Sequence, residues 1–77
     1  MKSWWVLVTD SDKNLFSLHG PVSDHTEWTN KVGAAQGRGQ KVTCSTIPAS
    51  EDASAIRERA RSRGLTEGEI ILAGASN

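Results

Sequence analysis

The chain has 77 residues, with nine basic side chains balanced by nine acidic ones, so no whole-molecule field draws it to nucleic acid or an anionic membrane. Its single cysteine excludes an internal disulfide, and no zinc-ligand spacing is present. A core of this size typically supplies only about 3–5 kcal/mol, so without a staple, self-association over an apolar face is expected.

After one lysine comes "WWVLV", too short an apolar run for a secretory signal and followed by no small-residue cleavage site. No stretch approaches the ~18 apolar residues of a membrane span. With a free cysteine, this points to a single compact domain over residues 1–77 in a reducing, cytoplasmic setting.

Residues 3–9, "SWWVLVT", are aromatic and β-branched and predict a strand. Alternation sends Trp4, Val6 and Val8 to one face and Trp5, Leu7 and Thr9 to the other. Both faces are apolar, which suits a central strand. The next stretch, "TDSDKNLF", places Asp10, Asp12 and Asn14 at the spacing of the first ligands of a calcium loop. Such a loop needs glycine at its sixth position and glutamate at its twelfth, where this chain has Leu15 and Pro21. The expectation is a hairpin turn that binds no metal. A second strand, 15–19, ends at Gly20-Pro21.

The segment 23–39, "SDHTEWTNKVGAAQGRG", predicts a helix. Asp24 with Glu27 matches a capping box, with Ser23 as the other candidate cap. Trp28, Val32 and Ala35 form its apolar stripe. Gly37 and Gly39 follow the stripe. A phosphate cradle runs from strand through glycines into helix, and here the order is the reverse, so these glycines read as a helix end.

"KVTCSTI" is a third strand, with Val42, Cys44 and Thr46 on one face, stopped by Pro48. A second helix follows, capped by Ser50, with Glu51 and Asp52 in its first turn and Arg59, Arg61 and Arg63 toward its end. Gly64 stands just past that end, where Leu65 can pack back on Ala60. The run 69–73, "EIILA", reads as a last strand entered through Gly68. The stretch "IRERARSRGLTEGEIILAGASN" also resembles the opening two helices of a helix-turn-helix repressor. On that pattern the recognition helix would begin near Asn77, and no function is carried over from it.

The expected fold is α/β (α+β), in the order ββαβαβ, with a four-stranded mixed sheet and two helices. The apolar first and last strands should be central, in a spatial order 2-1-4-3. Right-handed crossovers then put the helices on opposite faces. The simpler arrangement keeps both helices on one face and leaves the other open.

Chemistry-bearing residues are sparse. His19, His25 and Cys44 lie on separate elements, and Cys44 among small and β-branched neighbours reads as an inert, packed thiol. No catalytic triad, nucleophile elbow or carboxylate pair stands out. The expectation is a protein that is not an enzyme and uses no cofactor or metal. Trp4 and Trp28 are expected in the deep core. Trp5 and Leu7, on the sheet face that one-sided helices leave open, are the candidate partner-binding residues, for a protein partner or a second copy. The alternative is a nucleic-acid accessory module using Arg38, Lys41, Arg57 and Arg61, the last two lining one row of the second helix.

Overall fold

A computed structural model describes residues 2–73. Strands β1 (Trp4–Asp10) and β2 (Leu15–Val22) are followed by helix α1 (Thr26–Gly37), strand β3 (Val42–Pro48), helix α2 (Ala53–Ser62) and the short strand β4 (Thr66–Glu67). The architecture is α+β, a four-stranded mixed sheet with two helices in the order ββαβαβ.

The sheet runs β3-β1-β2-β4 in space, not 2-1-4-3. Strand β1 is central as its two apolar faces require, antiparallel to both β2 and β3, while β4 runs parallel to β2 at the far edge. The last strand is not 69–73. The ladder ends at Glu67, and Ile70 and Leu72 instead pack into the core beside α1, with Ile71 between them exposed. Gln40 holds this segment, donating from Nε2 to the Ile71 carbonyl at 2.8 Å and accepting from the Ala73 amide. The run alternates inward and outward as an extended chain does, but a sheet neighbour is missing from its register. The helix-turn-helix resemblance fails at the same place, because α2 is followed by a strand and extended chain among the described residues.

Both crossovers join parallel strands, β2 to β3 through α1 and β3 to β4 through α2, and they travel in opposite directions across the sheet. Crossovers of one hand moving in opposite directions lie on opposite faces. The packing follows: Val6 and Val8 meet Val32 and Ala35 of α1, while Leu7 and Phe16 meet Ile56 and Ala60 of α2. The one-sided arrangement is therefore excluded, and with it the open Trp5/Leu7 face.

Local chemistry sets the turns. The carboxylate of Asp10 accepts the amides of Asp12 and Lys13, and Asn14 takes the left-handed conformation (φ 55°) that returns the chain into β2. The stretch that opens like a calcium loop is a hairpin turn. Opposite Trp5 the ladder skips a register at Gly20-Pro21, and a Cβ at Gly20 would stand 2.8 Å from the Trp4 carbonyl, so only glycine fits there. Helix α1 begins later than the capping box predicts. Its cap position is His25, whose side chain makes no capping bond, while Asp24 accepts the Thr26 amide from one residue further back. Helix α2 is capped by Asp52, not Ser50, because Glu51 is held outside the helix by its amide bond to the Pro48 carbonyl. At its far end Gly64 (φ 88°) and the Leu65 amide bond to Ala60 close the helix as predicted.

The tryptophans are not the deepest residues. Trp4 and Trp28 are half-buried, and the largest fully enclosed side chains are Phe16, Ile56, Val6, Val8 and Val42. Trp4 packs edge-on against His25 at 5.3 Å between ring centroids. Trp28 stacks on His19 at 4.1 Å, with the Lys31 ammonium over its ring.

Candidate functional site

The edges of the sheet differ in kind. Strand β4 is only two residues long, and its Glu67 is held by two arginines. Strand β3 is seven residues long, and its outer side meets no other strand among the described residues. Two bonds flanking the β1–β3 ladder fix which backbone groups face outward: the Ser11 amide donates to the Lys41 carbonyl, and the Ala49 amide to the Ser3 carbonyl, both at 3.0 Å. With Leu7 opposite Ser45 and Thr9 opposite Thr43, the odd-numbered residues of β3 bond inward to β1. Val42, Cys44 and Thr46 therefore present their amides and carbonyls to the outside. Gln36 covers the Val42 carbonyl, donating from Nε2 at 2.8 Å, and among the described residues nothing bonds the outward groups of Cys44 and Thr46.

Natural sheets guard such edges with charge, proline or bulges. From Val42 to Ile47 this strand carries no charge and no proline, and its register against β1 is unbroken. Pro48 guards only its end.

Beside this edge runs a groove of about 450 Å³ between β3 and α2. Helix α2 contacts β4, and the groove opens on its β3 side. Its floor is apolar, made by Leu7, Ile47 and Ile56, and the short Ser45 leaves it open toward the strand edge. Its rim carries the cations Arg59 and Arg63 and the carboxylate of Glu51. Arg59 reaches Glu51 at 3.6 Å with both side chains largely exposed, so the pair is weak and screened. Arg63 pairs with no acidic residue among the described ones.

The candidate residues fall into three groups. Leu7 is buried at 8 % exposure but forms part of the groove floor. Trp5 is half-buried, packs with the α2-side core and donates from Nε1 to the Glu51 carbonyl at 3.0 Å, so it props one end of the groove. Arg57 and Arg61 both bind Glu67, at 3.2 and 3.1 Å, and Arg61 also lies 3.9 Å from Glu58. Arg38 and Lys41 are exposed on the α1–β3 turn, on a different element from the other two.

Cys44 is half-buried against the α1-side core, less enclosed than the packed thiol expected. His19 bonds to the Ser17 hydroxyl at 2.8 Å, and burial, then the nearby Lys31 charge, holds its pKa below the ordinary 6.5. No group of three metal-ligating side chains is assembled among the described residues. A second cleft, about 510 Å³, lies between Trp4 and Pro48 and is lined by Lys2 and two serines but by no carboxylate or histidine. No helix of the described residues is long and apolar enough to cross a membrane.

The free edge of β3 was absent from the sequence reading. Its signal was present in "VTCSTI", an uncharged β-branched run, but an edge is recognised only once the strand order is known. Compared with known proteins, the chain matches no family, no curated sequence and no solved structure.

Proposed function

We propose that this protein is a non-enzymatic binding module acting through protein–protein contact, in which an extended segment of the partner adds a strand to the outer edge of β3. The observation that carries this reading is the pairing parity of β3, which turns the free amides and carbonyls of Cys44 and Thr46 outward from an unguarded strand. Main-chain bonds of this kind supply affinity in strand addition, and a neighbouring pocket for side chains supplies selectivity. The Leu7–Ile47–Ile56 groove stands where such a pocket belongs. The apolar face inferred from the sequence thus acts as a groove, not as an open sheet. The nucleic-acid reading is less well supported, because Glu67 engages both arginines of its ridge and offsets part of their charge.

The test is amide hydrogen exchange in the free protein and with saturating binding partner. The Cys44 and Thr46 amides should exchange rapidly when free, despite lying in a seven-residue strand, and become protected on binding. Binding that leaves both amides fast and protects α2 instead overturns the reading.

A further inference from the structure

The charge around the groove specifies what the added strand carries. We infer that the partner segment is acidic and apolar: an extended stretch with an aliphatic side chain over the Leu7–Ile47–Ile56 floor and carboxylates beside it, paired with Arg59 and Arg63. This rests on strand addition at β3 and adds the chemistry of the occupant.

Three features converge. First, the rim sets two guanidiniums against one carboxylate, and Arg63 has no acidic partner among the described residues. Secondly, the spacing fits. Arg59 and Arg63 are four residues apart, about 6 Å along a helix axis at 1.5 Å per residue. Same-face residues of a strand are two apart, roughly 6.6–6.8 Å. Helix α2 joins two parallel strands and so runs back along them, which sets its row of cations alongside an added strand. Thirdly, the strand edge and the groove are continuous. Ser45 is the only side chain of β3 between the Leu7 floor and the outside at that register, and it is small.

A second copy of this chain is the competing occupant. Two β3 strands paired about Ser45 would exchange bonds between Cys44 and Thr46 of each copy, but such a pairing brings in no carboxylate of β3, since residues 42–47 carry none. Arg59 and Arg63 would then face the partner's uncharged strand. Charge complementarity favours the acidic segment.

The experiment uses the full chain, labelled for amide spectra, and two capped heptapeptides, TVTETET and TVTKTKT, in which the two charged residues are two apart and share a strand face with the valine. With the acidic peptide, the Cys44 and Thr46 amides should shift saturably, and the lysine peptide should bind about tenfold more weakly or worse, from two exposed charge pairs lost and replaced by repulsion. Arg59→Glu with Arg63→Glu should reverse that preference while leaving the far-ultraviolet spectrum unchanged, since both side chains are on the surface. Edge shifts of equal affinity for both peptides, or a preference that survives the double reversal, would overturn the inference and leave strand addition standing. No edge shift with either peptide at millimolar concentration overturns both. Concentration-dependent self-pairing at Cys44 and Thr46 that the acidic peptide cannot displace assigns the edge to a second copy and also overturns the inference.

Discussion

Trp5 donates its indole N–H to the carbonyl of Glu51 across 3.0 Å, tying the central strand to the turn that launches α2. Together with the Glu51 amide bond to the Pro48 carbonyl, it holds Glu51 in the turn ahead of the helix. Glu51 remains outside α2, Asp52 takes the cap, and Arg59 falls within reach of Glu51 on the rim of the groove.

Trp5→Phe keeps an aromatic ring and removes the donor. The expected cost is about 0.5–1.5 kcal/mol, the ordinary net value of one hydrogen bond. In a domain this size each 1 kcal/mol lowers the melting temperature by roughly 4–8 °C. Trp5→Ser also removes packing against the α2-side core and should cost more, toward ~3 kcal/mol, though less than a fully enclosed aromatic. Thermal melts followed by circular dichroism check the ranking; equal melting of wild type and Trp5→Phe would show that the bond contributes nothing.

Phe16 is the larger hazard. It has no exposed surface and sits between Leu7, Ile56 and Ala60. Truncation to alanine should cost about 3–5 kcal/mol, comparable to the entire stability of a small unstapled domain. Phe16→Ala should therefore be largely unfolded at 25 °C, with its native circular dichroism lost, whereas the half-buried Trp28→Ala should retain a cooperative transition at lower temperature. The opposite order would contradict the burial pattern.

Acid sensitivity follows from His19. Burial, and secondly Lys31, lowers its pKa in the folded protein below the ordinary 6.5, so the unfolded chain binds the proton more readily. Stability from this group is fully present above about pH 6.5 and is lost as pH falls through the lower folded value. Urea midpoints should therefore decline between pH 7 and 5, and His19→Gln should flatten that decline. Asp24, whose pKa is lowered by its bonds to the Thr26 side chain and amide, acts below pH 3.8 and lies outside this window. An unchanged slope in His19→Gln would assign the effect elsewhere.

What was readable from the residues was mostly local. The central strand followed from two apolar faces on adjacent tryptophans, and Gly64 with Leu65 marked a helix end through backbone geometry alone. The helix starts were misplaced by one or two residues because tertiary partners decide them: Trp4 packs on His25, and Trp5 holds Glu51. The segment 69–73 has a strand's composition, yet its place beside α1 depends on Gln40, 31 residues ahead of the Ile71 it holds. The groove was half visible. Leu7 pointed to it, but Arg59 and Arg63 join Leu7 only because α2 crosses toward β4, a consequence of strand order.

Glu67 restrains the arginine row. Glu67→Gln removes the charge that Arg57 and Arg61 share, and because the pairs are exposed it should cost at most ~1 kcal/mol. The freed guanidiniums should then retain mixed DNA and RNA more strongly than wild type at low salt, with the difference erased at high salt. Wild-type protein that already binds nucleic acid as tightly as Glu67→Gln would restore the ridge of Arg57 and Arg61 to first place as the functional surface.

Proline substitution along β3 reads the parity of the edge directly. Ser45 lies opposite Leu7 with its amide directed into the sheet, whereas the Thr46 amide points outward. Proline at Ser45 removes a ladder bond and drives its ring against β1, which should cost ~3 kcal/mol or more and unfold much of the population. Proline at Thr46 removes a donor that has no partner among the described residues, and edge positions with outward amides tolerate proline. Thr46→Pro should therefore melt cooperatively within several degrees of wild type while losing measurable affinity for an added strand. Thr46→Ala serves as the control, since it keeps the amide and should bind nearly as wild type does. If Thr46→Pro unfolds as fully as Ser45→Pro, the outward amides belong to the other set of residues. If it stays folded and binds unchanged, the edge of β3 is not where the partner adds.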